Sequence, residues 1–179
     1  SRVFKDWLFR KYLRTVDSVY DFGCGSGLDL ALIASIFPEK KLHGLDWVHS
    51  SLDFVKVVAE KGRKNISCHL FDMFHPDENF IFEKGSAVIA FSAFEQLGTR
   101  FYDLIDFFVR KKPSFVLHVD ILEELFDRGD PCDAVAAKFA EKRNYLRGYL
   151  THLKKLESEK KIEIIKIQRV PFGSMHCEG

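Results

Sequence analysis

Val19-Tyr20-Asp21-Phe22-Gly23-Cys24-Gly25-Ser26-Gly27 is the stretch of this 179-residue chain that decides the fold. Residues 18–22 predict a buried strand, and the apolar run from Leu28 to Phe37, which stops before Pro38, predicts a helix. Between them glycines occupy alternate positions, where the backbone must turn tightly and approach a ligand without a side chain in the way. Amides at the start of the helix would face this turn and could receive an anionic group.

The glycine turn is not specific by itself, because dinucleotide-binding proteins and many ordinary turns share it. Asp46 ends the next predicted strand, 19 residues after Gly27, where a carboxylate can accept hydrogen bonds from both hydroxyls of an adenosine ribose. Asp72 follows the third predicted strand, where an acid can bind the exocyclic amine of adenine. The alternatives are a helix-capping role for Asp46 ahead of Ser51 and a turn role for Asp72 beside Pro76.

Strands and helices alternate along most of the chain. Further strands are predicted over Lys41 to Leu45, Ile66 to Leu70, Ala87 to Phe91 and Ser114 to Val119, and further helices over Val3 to Leu13, Ser51 to Lys61 and Phe101 to Arg110. A chain of this length fits one compact domain. We therefore predict an α/β fold: a single Rossmann-like domain over residues 1–179, with a mostly parallel central sheet and helices on both faces.

The pattern changes after Asp120. Ile121 to Phe126 predicts a short helix, Pro131 to Glu159 contains a long charged helix, and Ile162 to Val170 alternates enough to predict an edge strand.

The charge and cysteine content limit the classes of protein to which this chain can belong. Lys and Arg number 27 against 26 Asp and Glu, so no global field favours nucleic acid or an anionic membrane. The four cysteines are scattered without a CxxC pair, which argues against disulfides and a zinc site and favours a reducing compartment. No apolar run approaches the length of a signal core or membrane span. We expect a cytoplasmic protein that binds neither nucleic acid nor membrane.

These features together resemble the class I S-adenosylmethionine (SAM) dependent methyltransferases. The stretch Asp21 to Gly27 matches the first motif of that family, of the D-x-G-x-G-x-G type, Leu45-Asp46 matches its ribose-binding acid, and Phe71-Asp72-Met73 matches its adenine-binding segment. Dinucleotide-binding folds usually space their glycines as G-x-G-x-x-G, whereas Leu28 fills the place of a third glycine here. That spacing favours SAM, and the resemblance covers about residues 16–119.

The resemblance implies SAM as cofactor and S-adenosylhomocysteine (SAH) as product. The cofactor-binding residues that it implies are Asp21, Gly23, Cys24, Gly25, Gly27, Asp46, Trp47, Asp72, Met73 and Ser92. Ser92 would line the methionine end of the cofactor together with Ala93, and Phe94, Glu95 and Gln96 would lie near the substrate.

The chain departs from the family pattern at both ends. Members commonly close the sheet with antiparallel sixth and seventh strands. Here residues 162–170 can be the sixth, and without a seventh either the sequence is trimmed or the edge is unusual. A sheet edge left open in this way can be completed by another chain, as in a homodimer. Little chain precedes the first strand to form a substrate lid, so we expect residues 120–149 to be a substrate-side insertion.

Catalytic residues can be few, because methyl transfer from SAM is an in-line displacement at an activated carbon. Positioning the acceptor is most of the task, and a base is needed only for an acceptor that must lose a proton early. His118 is predicted as that base, since an imidazole titrates near neutrality, and Glu95 is the second catalytic candidate. His118 could equally point into the flanking helices. With Asp120 it provides too few ligands for a metal site, so we predict none.

The predicted acceptor-binding residues are Gln96, Glu123, Arg143 and Tyr145. Residues 118–127, 142–145 and 171–174 resemble a subgroup of bacterial small-molecule methyltransferases that accompany the building of surface sugars or related metabolites. Enzymes that methylate amino groups of bases typically carry an N-P-P-Y or D-P-P-Y motif at the end of the fourth strand. This chain has Phe91-Ser92-Ala93-Phe94 there. We therefore expect methylation at oxygen or nitrogen of a small polar metabolite. The alternatives are a non-catalytic SAM-binding module completed by a partner and, less favoured, a nucleotide-using dehydrogenase.

Overall fold

The centre of the molecule is a parallel sheet. The computed structural model describes residues 2–61 and 65–170. The strands are β1 (Ser18–Phe22), β2 (Lys41–Asp46), β3 (Ile66–Leu70), β4 (Ser86–Phe91) and β5 (Phe115–Val119). Their order is β3-β2-β1-β4-β5, and every neighbouring pair is parallel. The α/β prediction with a parallel sheet is confirmed.

Six α-helices surround the sheet within the described ranges. They are α1 (Arg2–Tyr12), α2 (Leu28–Ile36), α3 (His49–Glu60), α4 (Tyr102–Lys111), α5 (Pro131–Lys142) and α6 (Tyr149–Ser158), with 3₁₀ turns at Phe94–Leu97 and Glu123–Leu125. None of these helices is long and apolar enough to cross a membrane.

Buried side chains form one core on each face of the sheet. The first is rich in aromatic residues, such as Phe22, Phe94 and Phe107, and packs α4 and α6 on the sheet. The second is mostly aliphatic and brings α1 and α2 onto the other face through Phe9 and Leu30. Every residue of β1 is buried because this strand lies at the centre of the sheet, between β2 and β4.

The chain order reverses at β1, which sets the position of the site. From β1 the chain first adds β2 and β3 on one side of the sheet, and it later adds β4 and β5 on the other. Ligands of open α/β sheets bind outside the carboxyl ends of the strands at such a reversal. The glycine turn after β1 therefore lies where a ligand is expected.

The region after Asp120 differs from two of the predictions. The long charged helix is two helices, α5 and α6, because Asn144 (φ 54°) and Gly148 (φ 75°) adopt left-handed conformations between them. Residues 162–170 form no strand: they run beside the sheet without ladder hydrogen bonds to it. The edge-strand prediction is therefore wrong.

Between β5 and residues 162–170 lies an apolar groove of about 1140 Å³, here called the β5 groove. Its walls come from α1 and α4, with Trp7 and Phe108 among the lining side chains, and His118 and Tyr149 also line it. Among the described residues β5 pairs only with β4, so its outer edge faces this groove.

Candidate functional site

The glycine loop, residues 23–27, joins β1 to α2 and has a backbone that only glycine adopts easily. Gly23, Gly25 and Gly27 have φ values of 71°, 51° and 72°, in the left-handed region where an L side chain is strained. A Cβ on Gly23 would lie 2.5 Å from Cβ of Ala93, whereas a Cβ on Gly25 would meet nothing within 4 Å. Packing against Ala93 therefore requires glycine at position 23, whereas the space beside Gly25 is open.

Asp46 holds the glycine loop from the end of β2. Its Oδ2 accepts a hydrogen bond from the amide of Gly25 at 3.0 Å, and its Oδ1 accepts one from the amide of Val48 at 2.9 Å. The side chain is buried, and each carboxylate oxygen keeps a further lone pair for a ligand. The structure brings together the loop and the acid that sequence spacing paired.

Carboxylates surround the loop. Asp21 lies beneath it, fully buried, and its Oδ2 has no hydrogen-bond partner among the described residues. Burial, followed by the nearby carboxylates of Asp29 and Asp46, raises the pKa of Asp21 well above its ordinary value. Lys5 partly offsets this charge through a 2.6 Å contact with Asp29. The loop is thus a place where a cation would be stabilised.

Burial raises the pKa of the Cys24 thiol, with the charges of Asp21 and Asp46 adding to the effect. Cys24 therefore stays a neutral thiol below the loop, and it contributes its backbone and its volume to the site. A Cβ on Gly44 of β2 would lie 2.9 Å from its Sγ, which shows how closely the strand supports the loop.

The segment after β3 reaches the loop from the other side. Met73 Cε would lie 3.9 Å from a Cβ on Gly23, and the exposed ring of Trp47 faces Phe74 at 6.4 Å between centroids. Asp72 accepts a hydrogen bond from the amide of Phe74 at 2.8 Å and contacts His75 Nδ1 at 2.9 Å. Its carboxylate thus organises this turn, and adenine binding by Asp72 stays a prediction.

Ser92 follows β4 with a φ of 53°, an uncommon conformation for a residue other than glycine. Its amide donates to the carbonyl of Val119, and its carbonyl accepts from Gln96 Nε2 at 3.2 Å. Ser92 and Gln96 are exposed, whereas Ala93 and Glu95 are buried. The segment 92–96 therefore forms a wall beside the glycine loop, with Ala93 in contact with Gly23.

The two catalytic candidates, His118 and Glu95, lie in a shared hydrogen-bond network. His118 Nδ1 contacts Asp120 Oδ2 at 2.8 Å, and its Nε2 faces the hydroxyl of Tyr149 at 3.2 Å. Glu95 accepts a hydrogen bond from the amide of Ile121 at 3.0 Å. Burial and the charge of Asp120 raise the pKa of Tyr149, so its phenol stays protonated.

Three of the predicted acceptor-binding residues, Glu123, Arg143 and Tyr145, lie around α5 and the turn that follows it, whereas Gln96 lies in the wall after β4. Arg143 and Tyr145 both contact the ring of Phe139, and Glu123 Oε1 lies 4.0 Å from Arg147 Nε. The turn packs on Gly98, which follows the 3₁₀ turn after Ser92: a Cβ on Gly98 would lie 2.8 Å from Asn144 Nδ2. This contact brings the turn to the β4 side of the site. Among the described residues no three His, Cys, Asp or Glu side chains group as metal ligands.

The sequence did not predict the role of Asp120, whose side chain accepts hydrogen bonds from backbone amides of the segment 92–96. The signal available in the sequence was its position directly after β5, where it was considered as a metal ligand beside His118. It could not show which amides the carboxylate reaches, because those amides belong to a different strand connection.

Comparison with known proteins adds the class of fold. No family model and no curated protein matches the chain. Solved structures do: the plantazolicin methyltransferase BpumL in complex with SAH aligns over 89% of this chain and 62% of its own, with 15% identity and a TM-score of 0.57.

Two further structures resemble the chain. The O-methyltransferase from a trans-AT PKS multienzyme of Brevibacillus brevis, in complex with SAH, has 17% identity and a TM-score of 0.53, and the match covers 66% of this chain and 40% of that one. Coclaurine N-methyltransferase, bound to N-methylheliamine and SAH, has 17% identity and a TM-score of 0.51 over 64% of this chain and 32% of that one. The chain thus spans between 32% and 62% of the length of these three structures.

These likenesses define the class: the chain has the Rossmann-like fold of the class I SAM-dependent methyltransferases. Of these three structures, the plantazolicin methyltransferase aligns with the largest share of this chain. Identities of 15–17% establish the fold, and fold alone does not give function.

Proposed function

We propose that this protein is a SAM-dependent methyltransferase that transfers a methyl group to oxygen or nitrogen of a small polar metabolite. The observation that carries the proposal is the contact between Asp46 and the glycine loop, in which a buried carboxylate and the amide of Gly25 meet at 3.0 Å. This pairing presents an acceptor for ribose hydroxyls beside a loop in which every second residue lacks a side chain.

The charge around the loop supports SAM over a dinucleotide. Asp21, Asp29 and Asp46 lie close enough together to shift the pKa of Asp21. SAM carries a sulfonium and an ammonium group, and a positive group beside these carboxyls would favour their ionised form, whereas the pyrophosphate of NAD would be repelled.

The shape of the site also fits SAM. Gly25 lies below open space, and the side chains of Leu28 and Trp47 next to the loop are 72% and 64% exposed, which leaves apolar surface for an adenosine to cover. Asp21 and the wall of residues 92–96 would lie toward the methionine part. Bound SAM would supply an activated methyl carbon, and the chain would hold and orient it.

Thermal unfolding with added ligands tests cofactor binding. We expect SAM and SAH to raise the midpoint of the wild-type protein and NAD at the same concentration to leave it unchanged. Gly25→Val should remove the shift, because the new side chain fills the space above the loop and strains its left-handed backbone, although it meets no core side chain.

Gly23→Ala provides the contrast, since its Cβ would clash with Ala93. We expect it to lower the midpoint without ligand, by about 2 kcal/mol or more in unfolding free energy. A stabilising effect of NAD alone, or an undiminished SAM shift in Gly25→Val, would refute the assignment.

We further propose His118 as the base for a hydroxyl acceptor. Its Nδ1 is held by Asp120, which leaves Nε2 to receive a proton, and the Tyr149 hydroxyl stands directly at Nε2. A proton from the acceptor would therefore pass to the oxygen of Tyr149 as the phenol proton moves to His118. The buried carboxylate of Glu95 faces Ile121, which favours a structural role for it over a catalytic one.

Methyl-labelled SAM with matched hydroxyl and amine acceptors tests this base. His118→Gln is expected to lower transfer to hydroxyls by about 100-fold or more, because a general base contributes that much to proton removal. Transfer to amines, which lose their proton after methylation, should change little. An equal effect on both acceptor classes would exclude the base role.

We further propose that the acceptor is a sugar-related metabolite. Its support is the polar turn after α5, where Arg143, Tyr145 and the Glu123–Arg147 contact lie next to the β4 side of the site. Guanidinium and phenol groups suit hydroxyl-rich or phosphorylated acceptors. Gln96, exposed on the wall, would contact the same acceptor.

One observation favours a second function, a SAM-binding module completed by a partner chain. The outer edge of β5 has no paired strand among the described residues, and such an edge can accept one. Light scattering together with the acceptor assay separates the two: a monomer that turns over SAM supports the enzyme, and an inactive dimer supports the module.

A further inference from the structure

The carboxylate of Asp120 is fully buried and reaches two parts of the molecule at once. Its side chain has 0% relative exposure. Each of its oxygens accepts from a different partner, one in the wall after β4 and the other on β5. A buried carboxylate is costly unless its oxygens are bonded in this way, so its partners are held firmly.

The first oxygen, Oδ1, fixes the wall. It accepts hydrogen bonds from the amides of Ala93 at 2.9 Å and Glu95 at 3.1 Å. A second hydrogen bond runs in the opposite direction: Oε2 of Glu95 accepts from the amide of Ile121, the residue next to Asp120. The connections after β4 and β5 thus bind each other reciprocally, and Ala93 in turn contacts Gly23 of the glycine loop.

The second oxygen, Oδ2, fixes the imidazole. It accepts from His118 Nδ1 at 2.8 Å, which requires the proton of a neutral ring to reside on Nδ1. His118 Nε2 then carries a lone pair, and the hydroxyl of Tyr149, 3.2 Å away, donates to it. Asp120 therefore determines the tautomer as well as the orientation of the ring.

We propose that Asp120 is a positioning residue that supports two parts of the site through separate oxygens: Oδ1 holds the wall beside the cofactor, and Oδ2 sets the tautomer and orientation of His118. This rests on the proposed function. The role follows from the two separate oxygens, since neither contact alone would connect the cofactor side of the site with the base.

Two substitutions separate the two oxygens. Asp120→Asn keeps the oxygen that faces two amide donors, and these donors orient the new side chain so that its NH₂ group faces His118. Asp120→Ala removes both contacts. Asp77→Asn is the matched control, because Asp77 is exposed and its Oδ1 accepts only from Asn79.

Three measurements report independently on the His118 tautomer, on the wall after β4 and on the cofactor site. Long-range ¹H–¹⁵N NMR spectra of histidine-labelled protein give the tautomer of His118, assigned with His118→Gln. Hydrogen exchange at the amides of Ala93 and Glu95 reports on the wall without any ligand. Calorimetry with SAH reports on the cofactor site.

In Asp120→Asn we expect the His118 proton to move from Nδ1 to Nε2, with amide exchange and SAH affinity within about twofold of wild type. In Asp120→Ala we expect exchange at Ala93 and Glu95 to accelerate by about tenfold or more and SAH affinity to fall by about tenfold. Asp77→Asn should change none of these.

The proposal is overturned if His118 keeps its tautomer in Asp120→Asn, or if that variant exposes the two amides to exchange. Should Asp120→Ala fail to fold, the tautomer and exchange of Asp120→Asn still decide the matter. A wild-type protein that binds no SAH but shows the expected tautomer and protection would remove the methyltransferase proposal and leave the positioning role of Asp120 intact.

Discussion

Replacing Asp46 with alanine is expected to lower the affinity for SAM by about 100-fold, because the ribose would lose two charge-assisted hydrogen bonds. The same carboxylate accepts from the amides of Gly25 and Val48, so the glycine loop would also lose its anchor. Titration calorimetry with SAM measures the effect. Asp46→Asn, which keeps one acceptor oxygen, should give an intermediate loss.

Asp53→Ala is the matched control for this experiment. Asp53 lies on α3, its side chain is 71% exposed, and its contact is a surface ion pair with Lys56. Such a pair contributes little, so SAM affinity should stay at the wild-type value. If Asp46→Ala also retained that value, Asp46 would have no role in ribose binding.

Asp21→Asn is expected to change stability and binding in opposite directions. The carboxylate of Asp21 is buried with one oxygen unpartnered, next to Asp29 and Asp46. A neutral amide of the same shape should therefore raise the unfolding free energy of the ligand-free protein by about 1–3 kcal/mol near neutral pH. It should weaken SAM binding, because an amide, unlike the carboxyl group, cannot ionise beside the positive groups of the cofactor.

The pH dependence gives this prediction its sign. The pKa of Asp21 is raised in the folded protein, so its ionisation favours unfolding. The unfolding free energy of the wild type should therefore fall relative to that of Asp21→Asn as the pH rises. The fall begins near pH 4, about the ordinary carboxyl value, and continues through the raised pKa of the folded protein. Urea denaturation at both ends of this range measures it. A variant less stable than wild type near neutrality would show that Asp21 is a satisfied structural acid.

The fold and the contact between the glycine loop and Asp46 were predictable because both depend on local sequence patterns. The glycine loop requires left-handed backbone at Gly23, Gly25 and Gly27, which only glycine adopts without strain. Asp46 was predictable because parallel strands end at one edge of the sheet, so an acid at the end of β2 must lie near the turn after β1.

The remaining parts depend on contacts that a single sequence does not encode visibly. The break between α5 and α6 occurs at Asn144, a residue common both in helices and in turns. Residues 162–170 alternate like a strand, but alternation cannot show whether another strand lies close enough to pair. The amides that Asp120 binds belong to a connection about 25 residues earlier in the chain, and no spacing rule identifies them.

Among residues 2–61 and 65–170 no strand pairs with the outer edge of β5, which affects the handling of the protein. An unpaired row of backbone donors and acceptors can pair with an extended segment that reaches it, including one from another copy, and so promotes aggregation. Lys112, Lys161 and Lys166 line the β5 groove, and positive charges of this kind keep identical edges apart. Since salt screens such repulsion, concentrated protein should remain dispersed best in buffers of low ionic strength.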